Sequence, residues 1–341
     1  MVPSARFRIR QHFPLLRARG VEIEDHCPSL GGGRFLPGLF GRVRGRYVAP
    51  VRGAELLVLL AQRVPGILAS HRVDLTWLER NFVPLLDDAS VLLKRPVVID
   101  IDDAIWLYNP FGRSTVRRLI RRADAVIAGN SFLADWCSSA CPTVYVVPTA
   151  IDAVRFCPVP ADAVRDRPFT LGWTGTSTNF RFLESIAPTI GRFLEDVAGS
   201  RLLVMADKAP ALPAIPPRRW LFREWTPETE HHLAQQMDVG IMPVDDSDIV
   251  RGKCSFKMLQ YMACGLPVIV SPVGMNAEVL GRGALGFAAR ESDEWLAALH
   301  AYHDDPALRA RHGGVGREVV LREYDLPVVG EQIAEILTAF G

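Results

Sequence analysis

Two lysines four residues apart lie in the segment whose residue types best suit chemistry. Lys253 and Lys257 belong to a basic stretch that leads into a helical pattern, a glycine stop at Gly265 and a buried strand. The unpaired amides of a helix start, together with the helix dipole, add to the ammonium charges, so such a segment suits a diphosphate. The spacing places both lysines on one side of the helix if both lie within it, although two surface lysines explain it equally well.

A glycine turn is the second candidate phosphate site. Gly175, Thr176 and Ser177 follow an apolar run and precede a helical pattern that begins near Phe180. Glycine permits a close backbone approach, and hydroxyls with unpaired amides suit phosphate oxygens. The pattern Gly-x-x-Gly, here Gly172 to Gly175, is by itself more often only a turn.

Three carboxylates follow an apolar run in the first half of the chain. Asp100, Asp102 and Asp103 lie where a parallel strand ends, and ligands in such sheets bind beyond the carboxyl ends of strands. Because successive side chains of a strand point to opposite faces of the sheet, Asp100 and Asp102 are predicted on one face and Asp103 in the loop that follows. A capping aspartate before Ala104 explains Asp103 without function.

Composition excludes several classes of protein. A net charge of +1 offers no case for nucleic-acid binding by the whole chain, and 49% hydrophobic with 23% charged residues is typical of a globular protein. The six cysteines form no Cys-x-x-Cys pair and the eight histidines no His-x-x-x-His, so we expect reduced cysteines and no structural zinc. The longest apolar stretch, residues 54–69, is too short for a membrane span and predicts a buried helix.

The elements that position these residues alternate between strand-like and helical patterns, which predicts an α/β protein with two doubly wound parallel sheets. In the first half the predicted strands are residues 20–23, 74–78, 96–101, 125–128 and 144–147. In the second half they are residues 170–174, 201–205, 239–242 and 267–270. Helices are predicted at 294–299, 306–324 and 328–340, and the proline-rich residues 152–168 predict a linker.

The first 52 residues, which we call the basic front, carry an excess of positive charge. Ten arginines face three acids over the first 52 residues, which indicates either a solvated surface or attraction to anionic lipid headgroups or a phosphorylated acceptor. The arginines are Arg6, Arg8, Arg10, Arg17, Arg19, Arg34, Arg42, Arg44, Arg46 and Arg52.

The first periodic segment, residues 7–16, predicts a helix where a Rossmann-like unit normally opens with a strand. Either the first strand is missing or the sequence begins late.

Residues 251–279 resemble the donor-binding segment of the family 4-like retaining glycosyltransferases. Residues 123–128 with Ser131, 146–148 with Ile151 and 304–306 with Leu308 follow in the order that this family shows, so the resemblance covers nearly the whole chain. It implies the GT-B fold, in which two Rossmann-like doubly wound domains face each other across a cleft. The implied parts are an acceptor-side domain at 1–160, a nucleotide-sugar-binding domain at 168–325, and a helix at 326–341 that crosses back to the first domain.

The resemblance also implies roles for individual residues. Lys257 binds the donor diphosphate, with Lys253 as a second basic candidate, and Gln260 replaces a glutamate that hydrogen-bonds the ribose. The other implied donor contacts are Gly175, Thr176, Ser177, Arg181, Trp225, Gly274, Met275 and Asn276. Asp103 or Asp102 contacts the acceptor hydroxyl or the donor sugar. Gly252 and Gln260 stand at the two positions of the family's Glu-x7-Glu motif, a departure that we interpret as a subfamily trait.

The implied activity is transfer of a sugar from a nucleoside diphosphate sugar to a hydroxyl acceptor, with retention and without a metal or other cofactor. Polysaccharides, lipid-linked sugars and other glycoconjugates remain open as acceptors, and the basic front favours an anionic or lipid-linked one. We expect a cytoplasmic protein of bacterial cell-surface polysaccharide biosynthesis, with any membrane contact peripheral. Two alternatives stay open: a GT-B sugar-nucleotide epimerase, and a non-catalytic sugar-nucleotide-binding partner subunit.

Overall fold

The computed structural model of the chain describes residues 5–27, 49–82, 87–108, 110–159 and 167–341. The chain divides into two compact units, Met1–Pro148 with Gly330–Gly341 and Thr149–Val329. The predicted linker at 152–168 lies partly outside the described residues, as do Arg34, Arg42, Arg44 and Arg46 of the basic front.

The first unit contains a four-stranded parallel sheet in the order β1-β2-β3-β4. Its strands are β1 Thr76–Glu79, β2 Val97–Ile101, β3 Ala125–Ala128 and β4 Val144–Val146. Its α-helices are α1 Phe13–Ala18, α2 Ala49–Ser70, α3 Gly112–Ile120 and α4 Ser131–Ser138. All residues of β2 and β3 are buried, which is why both strands read as continuous apolar runs.

Two predictions for this unit are wrong. Residues 20–23 form no strand, because the Val21 amide donates to the Leu16 carbonyl and closes the end of α1, with Gly20 at φ 81°. The apolar stretch at 54–69 is helical as predicted but not buried throughout, since Leu57 and Leu68 in α2 are exposed.

The second unit contains a six-stranded parallel sheet in the order β10-β9-β8-β5-β6-β7. Its strands are β5 Thr170–Thr174, β6 Arg201–Ala206, β7 Trp220–Glu224, β8 Val239–Met242, β9 Val268–Val270 and β10 Gly286–Ala288. The sequence did not predict β7 and β10, which lie at the two edges. Edge strands are only partly buried, so β7 ends on exposed Arg223 and Glu224 and lacks the apolar run of a central strand.

The helices of the second unit follow its strands in alternation. They are α5 Phe180–Asp196, α6 Glu230–Ala234, α7 Asp248–Arg251, α8 Phe256–Ala263, α9 Met275–Leu280, α10 Ser292–Asp304 and α11 Pro306–Val319. A π-helical turn, Val320–Tyr324, precedes α12 Leu326–Thr338, so the predicted helical tail is present. The α/β class with two parallel sheets is as predicted. No helix in the described ranges is long and apolar enough to cross a membrane.

Candidate functional site

The donor-site candidates of the second unit lie where parallel strands of its six-stranded sheet end. Gly175 follows β5, Trp225 follows β7, and the segment from Ser271 to Asn276 follows β9. Carboxyl ends of parallel strands lie at one edge of the sheet, where ligands of such folds bind. The topology therefore brings these segments, which are distant in sequence, to one edge.

The start of α8 is locked to the start of α9 through buried side chains. Ser255 precedes α8 in the left-handed conformation at φ 46° and ψ 26°, and its Oγ donates to Asn276 Oδ1 at 2.6 Å. Asn276 Nδ2 in turn donates to the Ser271 carbonyl oxygen at 3.1 Å. A non-glycine residue in this conformation needs such support, and strain of this kind is concentrated at binding sites.

The two lysines differ in their positions. Lys253 lies in the loop between α7 and α8, and only Lys257 lies in the first turn of α8, so the condition for both to share one helix face is not met. Lys257 Nζ donates to Gln260 Oε1 at 2.9 Å. The Gln260 side chain is buried at 4% exposure and its Nε2 has no hydrogen-bond partner among the described residues. Because a buried unpaired donor is costly, this N–H group is suited to a ligand oxygen.

Gly274 brings the loop after β9 close to the basic loop. Its φ of 52° and ψ of −133° are accessible essentially only to glycine. A Cβ at this position would lie 2.9 Å from Arg251 Cα and 3.0 Å from the Arg251 carbonyl oxygen. Gly274 is also the N-cap of α9, whose first residues Met275 and Asn276 are buried.

The turn after β5 is already engaged in hydrogen bonds. The Gly175 amide donates to the Met205 carbonyl oxygen at 3.1 Å, and the Ser177 amide and Oγ donate to the two carboxylate oxygens of Asp207 at 2.6 and 2.8 Å. Slight burial favours neutral Asp207, but the hydrogen bonds from Ser177 outweigh it and hold the pKa of Asp207 below its ordinary value. Thr176 Oγ1 lies 2.7 Å from Thr178 Oγ1. A phosphate that accepts hydrogen bonds from the Ser177 amide and hydroxyl has to displace Asp207 from them.

Arg181 and Trp225 each have an acidic partner. Arg181 pairs with Asp245 at 3.2 Å, and both side chains are exposed. Trp225 Nε1 donates to Glu230 Oε2 at 3.1 Å, and Glu230 is buried. The Trp225 indole is therefore held in a fixed orientation at the end of β7.

In the first unit the three carboxylates separate into two environments. Asp100 is fully buried and accepts two hydrogen bonds from buried Arg8, at 2.8 and 3.0 Å. Burial raises the pKa of Asp100 to about 6, although the Arg8 guanidinium favours the carboxylate. Arg8 also donates to the Val147 carbonyl oxygen, so it fixes β2 to the end of β4 and is not part of a solvated basic surface.

Asp102 and Asp103 share Arg80, a residue that sequence reasoning missed. Arg80 donates to both oxygens of Asp102 at 2.6 and 3.1 Å and to Asp103 Oδ2 at 2.8 Å. Burial disfavours the Arg80 cation, but the carboxylates outweigh burial and hold its pKa above the ordinary value. Arg80 follows β1 with φ 58°, which places its guanidinium beside the end of β2. No local sequence signal connects these strand ends.

No three His, Cys, Asp or Glu side chains within the described ranges are grouped to hold a metal ion. The expectation that the site works without a metal remains a prediction.

Comparisons with known proteins agree with this architecture. Residues 174–305 match the family described as Glycosyl transferases group 1, a range that includes the turn after β5, the basic loop and α8. Among curated proteins none matches.

Solved structures cover most of the chain at low identity. Anabaena HepE in complex with UDP and glucose has a TM-score of 0.68 and 16% identity over 84% of this chain and 83% of that one. Sucrose-phosphate synthase from Thermosynechococcus elongatus has a TM-score of 0.62 and 16% identity over 85% of this chain and 78% of that one. A glycosyltransferase from Rickettsia africae has a TM-score of 0.64 and 11% identity over 83% and 82%. At these identities the likeness shows the fold, which is GT-B.

Proposed function

We propose that the protein is a glycosyltransferase that moves a sugar from a nucleoside diphosphate sugar to a hydroxyl acceptor, with retention of anomeric configuration. The observation that carries the proposal is the start of α8, where Lys257, the strained Ser255 and the unpaired Gln260 Nε2 lie together. The match of residues 174–305 to Glycosyl transferases group 1 supports the same activity.

The proposed donor carries uridine diphosphate. HepE, which shares the fold, was crystallised with UDP and with UDP-glucose. In this chain we assign the diphosphate to Lys257, Lys253 and the first amides of α8, and the ribose to Gln260, whose amide both accepts and donates. Trp225 is assigned to the neighbourhood of the base, and Gly274, Met275 and Asn276 to the wall of the donor site.

The chemistry assigned to these residues is stabilisation of the leaving diphosphate. As the bond between sugar and phosphate breaks, negative charge grows on the diphosphate, and ammonium groups and helix amides that are already in position lower the energy of that state. Lys257 is the proposed catalytic group of the second unit. The turn of Gly175, Thr176 and Ser177 joins the site when Asp207 releases Ser177, and Arg181 supplies a further cation there.

The first unit is assigned to the acceptor. Asp102 and Asp103 are the proposed contacts to the acceptor hydroxyl or the transferred sugar, and Arg80 is the residue that positions them. The proposal allows a polysaccharide, a lipid-linked sugar or another glycoconjugate as the acceptor. It also allows the reaction to take place at the cytoplasmic face of the membrane. No metal takes part in it.

The test is calorimetric titration with the diphosphates of uridine, guanosine, thymidine and adenosine, followed by their sugars. We expect saturable binding of UDP, weakened by Lys257→Ala by about 1.5–3 kcal/mol, the contribution of a hydrogen bond to a charged group. Lys94→Ala, which removes an exposed lysine of the first unit, is the matched control and leaves affinity unchanged.

Each other outcome points to a different function. Failure to bind any nucleotide contradicts the proposal. Binding without turnover against any acceptor favours the non-catalytic partner subunit. Conversion of the sugar nucleotide without an acceptor favours the epimerase.

A further inference from the structure

Helix α3 carries an exposed face made almost entirely of arginine. Its buried side is formed by Gly112, Thr115, Val116, Leu119 and Ile120. The exposed arginines of the helix and the turn after it are Arg113, Arg117, Arg118, Arg121 and Arg122. The helix has no acidic residue between Gly112 and Arg122, whereas the 3-10 segment that packs against it begins with Asp87 and Asp88.

The arginines follow the helical repeat. Arg113, Arg117 and Arg121 recur every four residues and form a row about 12 Å long, because each residue rises about 1.5 Å. The Arg117 guanidinium lies over the Trp136 ring of α4 at 5.7 Å, which holds it near the protein surface.

Apolar side chains are exposed next to these arginines. Phe111 immediately precedes α3 and is 67% exposed. The 3-10 segment Asp87–Leu92 packs against α3 and exposes Val91 and Leu92 at 63% and 48%. We call the exposed Phe111, Val91 and Leu92, together with the row of Arg113, Arg117 and Arg121, the α3 surface.

We propose that the α3 surface docks the protein on the headgroups of an anionic lipid bilayer. Arginines near such a membrane are attracted by its negative surface potential, and aromatic side chains favour the interface between headgroups and acyl chains. A soluble polyanion needs only the arginines, whereas a bilayer also accommodates the exposed Phe111, Val91 and Leu92. The mixture of cations and apolar side chains therefore favours the bilayer.

The mode of contact follows from the packing of α3. Its apolar side is used in the core of the first unit, so the helix itself is not free to sink into the bilayer. Binding is then peripheral, driven by charge and supplemented by shallow insertion of Phe111 and its neighbours. Affinity should fall steeply with salt, because screening shortens the reach of exposed charges.

The experiment is sedimentation of the full chain with vesicles of 70% phosphatidylcholine and 30% phosphatidylglycerol, and with vesicles of phosphatidylcholine alone. We expect binding only to the anionic vesicles, with a strong reduction between 50 and 500 mM NaCl. Each arginine near an anionic surface contributes about a factor of five, so Arg113→Glu with Arg121→Glu should lower the partition coefficient at least about tenfold.

The matched control is Arg192→Glu with Arg218→Glu, which changes the charge equally at two exposed positions of the second unit. It should bind vesicles nearly as the wild type does, and circular dichroism should show both double variants folded. An equal loss of vesicle binding in both double variants would show that only the net charge of the protein matters, and it would overturn the proposal. Undiminished binding of Arg113→Glu with Arg121→Glu would assign the contact to another surface, such as the basic front.

A second arm separates lipid from other phosphates and polyanions. Phe111→Ser should reduce binding to anionic vesicles and leave retention on immobilised heparin unchanged. Retention on heparin without binding to vesicles would show that the surface recognises a soluble polyanion, against the proposal. Inorganic phosphate at 10 mM should compete with vesicles no better than chloride of equal ionic strength, and specific competition would indicate a phosphate site.

Discussion

The hydroxyl of Tyr261 accepts the backbone N–H of Thr174 at 2.7 Å and lies 3.2 Å from Thr174 Oγ1. Tyr261 belongs to α8 and Thr174 is the last residue of β5, so this pair joins the basic helix to the strand that leads into the Gly175 turn. The Tyr261 ring packs on Gly240 of β8, where a Cβ would lie 2.2 Å from it. Burial raises the pKa of Tyr261 to about 12, so the hydroxyl stays protonated.

Tyr261→Phe leaves the buried Thr174 N–H without an acceptor. We expect a loss of about 1–3 kcal/mol in the free energy of unfolding, together with weaker UDP binding, because α8 and the turn lose their common anchor. Tyr302→Phe is the control, since it removes a hydroxyl that contacts His312 elsewhere in the second unit. Denaturant unfolding and calorimetric titration with UDP test this for both variants. If Tyr261→Phe binds UDP as tightly as the control does, the anchor serves stability alone.

Asp207→Ala should strengthen the binding of a nucleoside diphosphate. Asp207 occupies the Ser177 donors and carries a charge of the same sign as the phosphate. Two charges about 4 Å apart in water repel by about 1 kcal/mol, so removal of the carboxylate should raise UDP affinity about fivefold. Glu195→Ala, on α5, removes an exposed acid for comparison. Unchanged affinity in Asp207→Ala would remove the turn of Gly175, Thr176 and Ser177 from the phosphate site.

The positions of most strands were predictable from sequence because central parallel strands are buried on both faces and appear as apolar runs. The partners of the candidate site residues were not. Tyr261 and Thr174 are 87 residues apart, and Arg80 and Asp102 are 22 apart. Such pairs depend on which strands become neighbours and on backbone conformations such as that of Arg80. Residue type therefore indicated a diphosphate site, whereas the engagement of Ser177 by Asp207 required the structure.

Gly274→Ala tests whether the loop after β9 shapes the donor site. Alanine at φ 52° is strained, and its Cβ would also press on the backbone of Arg251. Gly199→Ala is a close control, because Gly199 has φ 78° but no heavy atom within 4 Å of the added Cβ. Gly199→Ala should lose about 1–2 kcal/mol of stability from its positive φ. Gly274→Ala should lose more, because its φ and ψ are accessible essentially only to glycine and its Cβ meets the Arg251 backbone. Only Gly274→Ala should also lose UDP affinity, and equal affinities in calorimetry would contradict a role for this loop.

His12 makes the stability of the first unit depend on pH. Its ring is buried beside Arg8, neither nitrogen has a hydrogen-bond partner among the described residues, and burial followed by the Arg8 charge lowers its pKa to about 3. The unfolded chain protonates His12 near pH 6.5 while the folded chain does not, so stability is present above that pH and is lost as the pH falls from about 6.5 towards 3. Relative to His12→Leu, the wild type should lose about 2 kcal/mol between pH 7.5 and 5.0 in urea unfolding. His71→Leu, which removes an exposed histidine, should keep the wild-type pH dependence of the free energy of unfolding. If His12→Leu loses as much stability as the wild type between pH 7.5 and 5.0, other groups cause the pH dependence.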